Sequence, residues 1–200
     1  MKKSIILIAF LLFVLEAAKA TDNAKDSLLA VFKQSETRLF NDVAGLSEQQ
    51  VNFKADTASW SIGQCLEHIT KTEHMLLGMV QDLMKQPANP EKRTALKGTD
   101  SDVIGMMQNR TQKFKAPEPL QPDKQSYQLT KVLDDFKKQR AITLDFIKNT
   151  PLDDLRNHLT ITPAKEYADA YRMLLYIAGH SLRHTEQIEE VKGASTFPKK

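Results

Sequence analysis

The 200-residue sequence has one cysteine, Cys65, so no internal disulfide can form and the fold must stand without a covalent staple. Cys65 also lies far from the small-x-small triplet Ala18-Lys19-Ala20, so the lipidated cysteine that begins a lipoprotein is missing. An excess of one charge is lacking too: 28 Lys and Arg stand against 25 Asp and Glu, a formal +3. With no Arg/Lys stripe interleaved with aromatics and no nucleic-acid motif, a nucleic-acid partner is disfavoured. The apolar run at residues 5–15 falls well short of the roughly 20 residues a membrane-crossing helix needs. No stretch alternates as a strand would over a length comparable to the helical stretches, and there are no internal repeats.

What is present begins with an export signal. Lys2 and Lys3 precede the apolar run, and Ala18-Lys19-Ala20 makes a cleavage site, so residues 1–20 read as a signal peptide and Thr21 as the first mature residue. The chain is thus expected in a periplasm or outside the cell, with no stable membrane anchor after cleavage. The leader holds Lys2, Lys3, Lys19 and Glu16, a net +2, so +3 falls to +1 in the mature chain. Residues 21–192 suit one domain with a sizeable core, and 193–200 read as a flexible tail.

Helix-period apolar spacing predicts four long helices over 25–43, 61–85, 124–149 and 167–191. Breakers separate them: Pro87 and Pro90, then Pro117, Pro119 and Pro122, then Pro151 and Pro163. Residues 100–114 add a short extra helix. Helices with one apolar face must bury it against one another, so the fold class is an all-α four-helix bundle. Ser61-Ile62-Gly63-Gln64 matches a capping box, with Trp60 and Cys65 in the hydrophobic-staple positions. Cys65 therefore reads as a packing residue.

The five histidines separate when each residue is advanced by about 100° around a helix axis. His68 falls inside the apolar arc beside Met75 and Met79, and His74 falls on the polar side. His184 lies among Met173, Ile177 and Ile188, with His180 one turn away, so both imidazoles can meet one ion. His158 reads as an exposed loop residue. A lone histidine on an apolar face usually just packs; three inward-facing ones on two helices of a bundle suit a metal site.

These residues resemble the DinB-like (YfiT-type) family of metal-binding four-helix bundles. The resemblance rests on Trp60-Ser61-Ile62-Gly63-Gln64-Cys65-Leu66-Glu67-His68-Ile69 and on Ile177-Ala178-Gly179-His180-Ser181-Leu182-Arg183-His184-Thr185-Glu186-Gln187-Ile188. It implies a divalent ion, zinc or nickel, on His68, His180 and His184, a small-molecule substrate and a possible homodimer. Relatives of this kind include thiol-dependent S-transferases and isomerases. The export signal sets this chain apart from them, as does the extra segment 87–122, placed to roof or flank the site.

Three neutral histidines leave one position open on a four-coordinate ion, as in catalytic zinc sites, so hydrolysis and thiol transfer are both available. No Glu follows His180, which excludes the H-E-x-x-H protease arrangement. Gln64 and Gln187 are candidates to orient ligand rings. Arg140 is a candidate contact for a substrate anion, against the plainer reading that it snorkels to solvent. Glu67 reads as a solvated surface residue, and Met75, Met79 and Met173 as core filling. The rival reading is a non-catalytic metal-binding or stress-related protein whose ion is structural or sequestered, which predicts a closed site. A third is a bundle whose histidines only pack.

Overall fold

The computed structural model describes residues 2–111 and 115–199, with side chains from Asn23 onward. The leader predicted over 1–20, with its cleavage site, therefore lies outside the residues whose side chains are described. Helix α1 spans Lys2–Val43, starting earlier than predicted because no Pro or Gly precedes Gly45. Gly45, at φ 67°, takes the left-handed conformation that ends it. The other long helices are α3 (Ile62–Leu83), α5 (Leu129–Asn149) and α7 (Ala170–Lys192). Shorter pieces are α2 (Glu48–Asn52), α4 (Asp100–Gln108) and α6 (Leu152–Asn157). Two 3-10 turns cover Pro90–Ala95 and Glu118–Leu120. Among the described residues no helix is long and apolar enough to cross a membrane.

Side-chain caps set the helix starts. Ser61 accepts from the Gln64 amide while Gln64 accepts from the Ser61 amide at 3.0 Å, the capping box read from the sequence. Ser47 with Gln50 and Thr99 with Asp102 do the same for α2 and α4. Helix α7 starts three residues later than predicted, because Asp169 caps it by accepting from the Arg172 amide at 2.7 Å. Tyr167–Asp169 instead forms strand β2, antiparallel to β1 (Leu159–Ile161). A hairpin this short leaves no alternation long enough to recognise. Helix α5 also starts later, because Asn52 clamps both backbone groups of Tyr127 at 2.7 and 2.8 Å and so holds that residue outside a helix.

Helix α7 packs against α1, α3 and α4, and α5 packs against α3 and α1. Two apolar cores result. One gathers Leu28, Phe32, Leu77, Val80, Ile147 and Leu174; the other gathers Leu39, Cys65, Leu66, Ile69, Phe136 and Ile188. Between them along α1, α3 and α5 lie Ser35, Glu73 and Arg140, all buried. Arg140 neither snorkels nor waits for a substrate anion. Its guanidinium meets Glu73 at 2.8–3.2 Å, donates to the Phe32 carbonyl and Ser35 Oγ, and lies against the rings of Phe32 and Phe136.

The segment between α3 and α5 is fastened across α7. Arg156 and Arg172 both grip Asp100 at the start of α4. Burial pushes the Asp100 carboxyl up, but those hydrogen bonds outweigh it and hold it below its usual range. At Gly179 a Cβ would meet Met107 Cβ at 2.8 Å, so α4 crosses α7 closely there only because the residue is glycine. That crossing sits beside His180. The tail predicted to be loose folds back, with Phe197 edge-on to Phe53 at 5.4 Å and Gln50 donating to the Pro198 carbonyl.

Candidate metal centre

Helix α3 contributes His68, and α7 contributes His180 and His184. One nitrogen from each ring lies within 4.8 Å of the others. Ring centroids are 4.9 Å apart for His68 and His180, 4.6 Å for His68 and His184, and 4.4 Å for His180 and His184. The i,i+4 spacing on α7 stacks two imidazoles on one face, and the α3–α7 packing brings the third.

The outer nitrogens reveal which way the inner ones face. His68 Nδ1 lies 2.8 Å from the Leu120 carbonyl oxygen, which can only accept, so Nδ1 carries the hydrogen and Nε2 keeps its lone pair. His184 Nδ1 donates likewise to Gln187 Oε1 at 2.8 Å. His68 Nε2 in turn faces His180 Nε2 at 3.2 Å. A hydrogen on His180 Nε2 can satisfy one of the two lone pairs but not both. Three convergent imidazoles short of donors are the donor set a divalent cation fits.

Burial disfavours protonating these rings. It pushes His184 down to about 3, with the positive charge a protonated His68 would carry adding to the effect and the Gln187 hydrogen bond opposing it. Burial likewise holds His180 well below its ordinary value, and it lowers His68 against the opposing pull of the Leu120 carbonyl. Neutral rings at ordinary pH are the ligand form.

The histidines line a cavity of about 680 Å³. Trp60 forms part of its wall, its ring 4.8 Å from His68 and stacked at 6.0 Å on His184. Met106, Met107, Asn109, Arg110, Pro117 and Leu120 also line it, so the segment predicted to roof or flank the site does form part of its wall. Thr72, one turn beyond His68, also lines the wall, and its hydroxyl is buried without a partner.

Of the two glutamines read from the sequence, only Gln187 reaches a histidine. Gln64 stays in its capping box, and the support for His68 comes instead from the Leu120 carbonyl. That backbone group has no side-chain signature. Arg140 is not among the cavity-lining residues. Glu67 is buried rather than solvated, accepting from the Tyr127 hydroxyl at 2.5 Å and pairing with Lys71 at 3.2 Å. His158 is also buried, its Nδ1 donating to the Asp154 carbonyl at 2.8 Å. Met173 is core, but Met75 and Met79 are exposed. His74 is exposed as read, with Nδ1 3.2 Å from Gln139 Oε1. Cys65 is a buried packing residue whose thiol burial pushes up to about 12.

A four-helix bundle with three imidazoles meeting between its second and fourth long helices defines a class, and the chain belongs to it: the DinB superfamily model matches residues 32–188. Among individual proteins it is similar to the uncharacterized protein YuaE of Bacillus subtilis (strain 168). That likeness is 23% identity over 167 residues, covering 82% of this chain and 96% of YuaE. In structure it is similar to YfiT from Bacillus subtilis, described as a probable metal-dependent hydrolase with an unusual four-helix bundle topology. The two superpose with a TM-score of 0.59 at 12% identity, covering 87% of this chain and 89% of YfiT. At that identity the likeness is one of fold.

Proposed function

We propose that the chain is an exported metal-dependent enzyme, a hydrolase or thiol-dependent transferase, whose ion sits on His68, His180 and His184 and whose substrate is a small molecule. The observation that carries this reading is the convergence of three neutral imidazoles on the wall of an open cavity. A purely structural ion would need a closed site. The description of YfiT as a probable metal-dependent hydrolase of the same fold supports the hydrolytic version. Export is supported by Lys2, Lys3, the apolar run and Ala18-Lys19-Ala20.

Bound there, a divalent ion supplies Lewis acidity toward a water or thiol nucleophile, and zinc or nickel suits an all-imidazole donor set. The protein's own groups do the positioning. The Leu120 carbonyl and Gln187 fix two rings in the Nδ1–H tautomer, and Trp60 limits their tilt. Glu190 is the lone carboxylate residue on the cavity wall among the described residues, and Arg110 holds both its oxygens.

The test is a screen of ester and amide hydrolysis and of thiol transfer with zinc- and nickel-loaded protein. Turnover should require metal and vanish in His184→Ala. Stoichiometric metal with no metal-dependent turnover would instead favour the non-catalytic, ion-holding reading.

A further inference from the structure

Four threonines on or just after the long helices satisfy their hydroxyls in the same way. Thr70, Thr143, Thr150 and Thr185 each donate to the carbonyl four residues back, at 2.7–3.2 Å. Thr72 does not. It sits in the middle of α3, is 4% exposed, and leaves its hydroxyl without a partner, although the His68 carbonyl lies four residues back. A buried hydroxyl in that state has given up water and gained no bond in return.

Three other buried side-chain atoms lack a partner among the described residues, on Asp42, Gln139 and Ser181, but of the four residues only Thr72 lines the cavity with His68, His180 and His184. The charged side chains of that wall are engaged elsewhere. Arg110 spans Glu190, with Nε to Oε1 at 2.8 Å and Nη2 to Oε2 at 2.6 Å, Arg183 donates to the Asn109 carbonyl, and Lys115 is exposed to water. Trp60, Met107, Pro117 and Leu120 supply an apolar surface. What the wall offers an incoming molecule is therefore hydrocarbon contact and one uncharged hydrogen-bonding group, the pattern of a site that orients an apolar body by a single polar atom.

We propose that Thr72 is a substrate-positioning residue, its hydroxyl hydrogen-bonded to the one hydroxyl or carbonyl group of an uncharged small molecule whose apolar body lies against Trp60 and Met107. The proposal rests on reading the histidine cavity as the place where substrate binds. A threonine hydroxyl both donates and accepts, so it suits either group. Two χ1 rotamers are open to a helical threonine, so the hydroxyl can swing across the wall without any movement of α3.

Trp60 is the single tryptophan and lines the cavity, so its fluorescence reports on occupancy. Benzyl alcohol and ethylbenzene, alike in shape but not in hydrogen bonding, are titrated into zinc-loaded and chelator-treated protein, with zinc content measured separately. T72V should weaken benzyl alcohol about five- to tenfold, the worth of one hydrogen bond, and leave ethylbenzene unchanged. T72S should restore the benzyl alcohol affinity, which a merely structural role for the residue would not produce. Zinc content and helical circular dichroism should be the same in all three proteins. Equal losses for both probes in T72V, no loss for either, or no binding of benzyl alcohol to the parent overturns the proposal. If zinc is bound while T72V does not discriminate between the probes, Thr72 loses its role and the metal centre stands. If T72V discriminates in protein that takes up no zinc, Thr72 keeps its role and the metal centre falls.

Discussion

Helix α3 faces two buried polar clusters, and they are opposite in kind. Glu73 meets Arg140 among Ser35 and the Phe32 carbonyl, both charged side chains are 1% exposed, and Nε, Nη1 and Nη2 of the guanidinium each donate to an acceptor. Five residues earlier, His68 meets His180 and His184 on a cavity wall, with the outer nitrogens of His68 and His184 satisfied and the inner lone pairs short of donors. A cluster that satisfies itself holds the bundle together; one that is left incomplete and open is built for a ligand. Burial alone does not separate them, because His68 and His184 are buried as Glu73 and Arg140 are.

The largest effect that sharpens this contrast is on the closed cluster. Glu73→Ala leaves Arg140 charged and unpaired in the core and should cost about 3–5 kcal/mol, read by urea unfolding. Replacing both partners, as Glu73→Leu with Arg140→Met, should recover most of that loss. A single-variant loss under about 1 kcal/mol would make the pair no more structural than a surface bridge.

The open cluster should show itself in acid. Burial keeps His184 neutral in the fold with a pKa of about 3, against 6.5 for the ordinary side chain. Between those values the unfolded chain binds the extra proton, so stability is intact above about pH 6.5 and falls as pH drops toward 3. Near pH 5 the loss from this ring alone is about 2 kcal/mol in metal-free protein. His184→Gln should flatten that part of the pH profile, and an unchanged slope would contradict it.

Gln187→Ala removes the acceptor that orients His184, so metal affinity should fall roughly ten- to a hundredfold with little change in metal-free stability. Competition with a chromogenic chelator reads the difference. The smallest change is Thr72→Val. It deletes a buried hydroxyl that has no partner, and thermal unfolding should show it neutral or slightly stabilising. A loss above about 1 kcal/mol would point to a hydrogen bond at that hydroxyl.

Much of this was legible in the chain. Four helix-period stretches gave the bundle, and the capping box at Ser61 set the phase of α3 closely enough to turn His68 inward. The i,i+4 pair on α7 needed only that same phase. A helical wheel, however, treats a helix as uniform along its length, whereas cover depends on what lies opposite at each level. Glu67 is buried because Asp123 and Tyr127 come down on it, and Met75 and Met79 face the same way as His68 but remain exposed. Arg140 was misread because its partner, Glu73, sits on another helix. The Leu120 carbonyl could not be foreseen, since it depends on where a proline-bounded turn sets a backbone oxygen.

The central claim is that His68, His180 and His184 share one ion. Elemental analysis of unheated protein, beside His68→Ala and His184→Ala, tests it most directly. The account predicts about one zinc or nickel per chain in the parent and loss of it in each variant, with helical circular dichroism retained. A variant that keeps its metal, or a parent that takes up none when zinc is supplied, would contradict it.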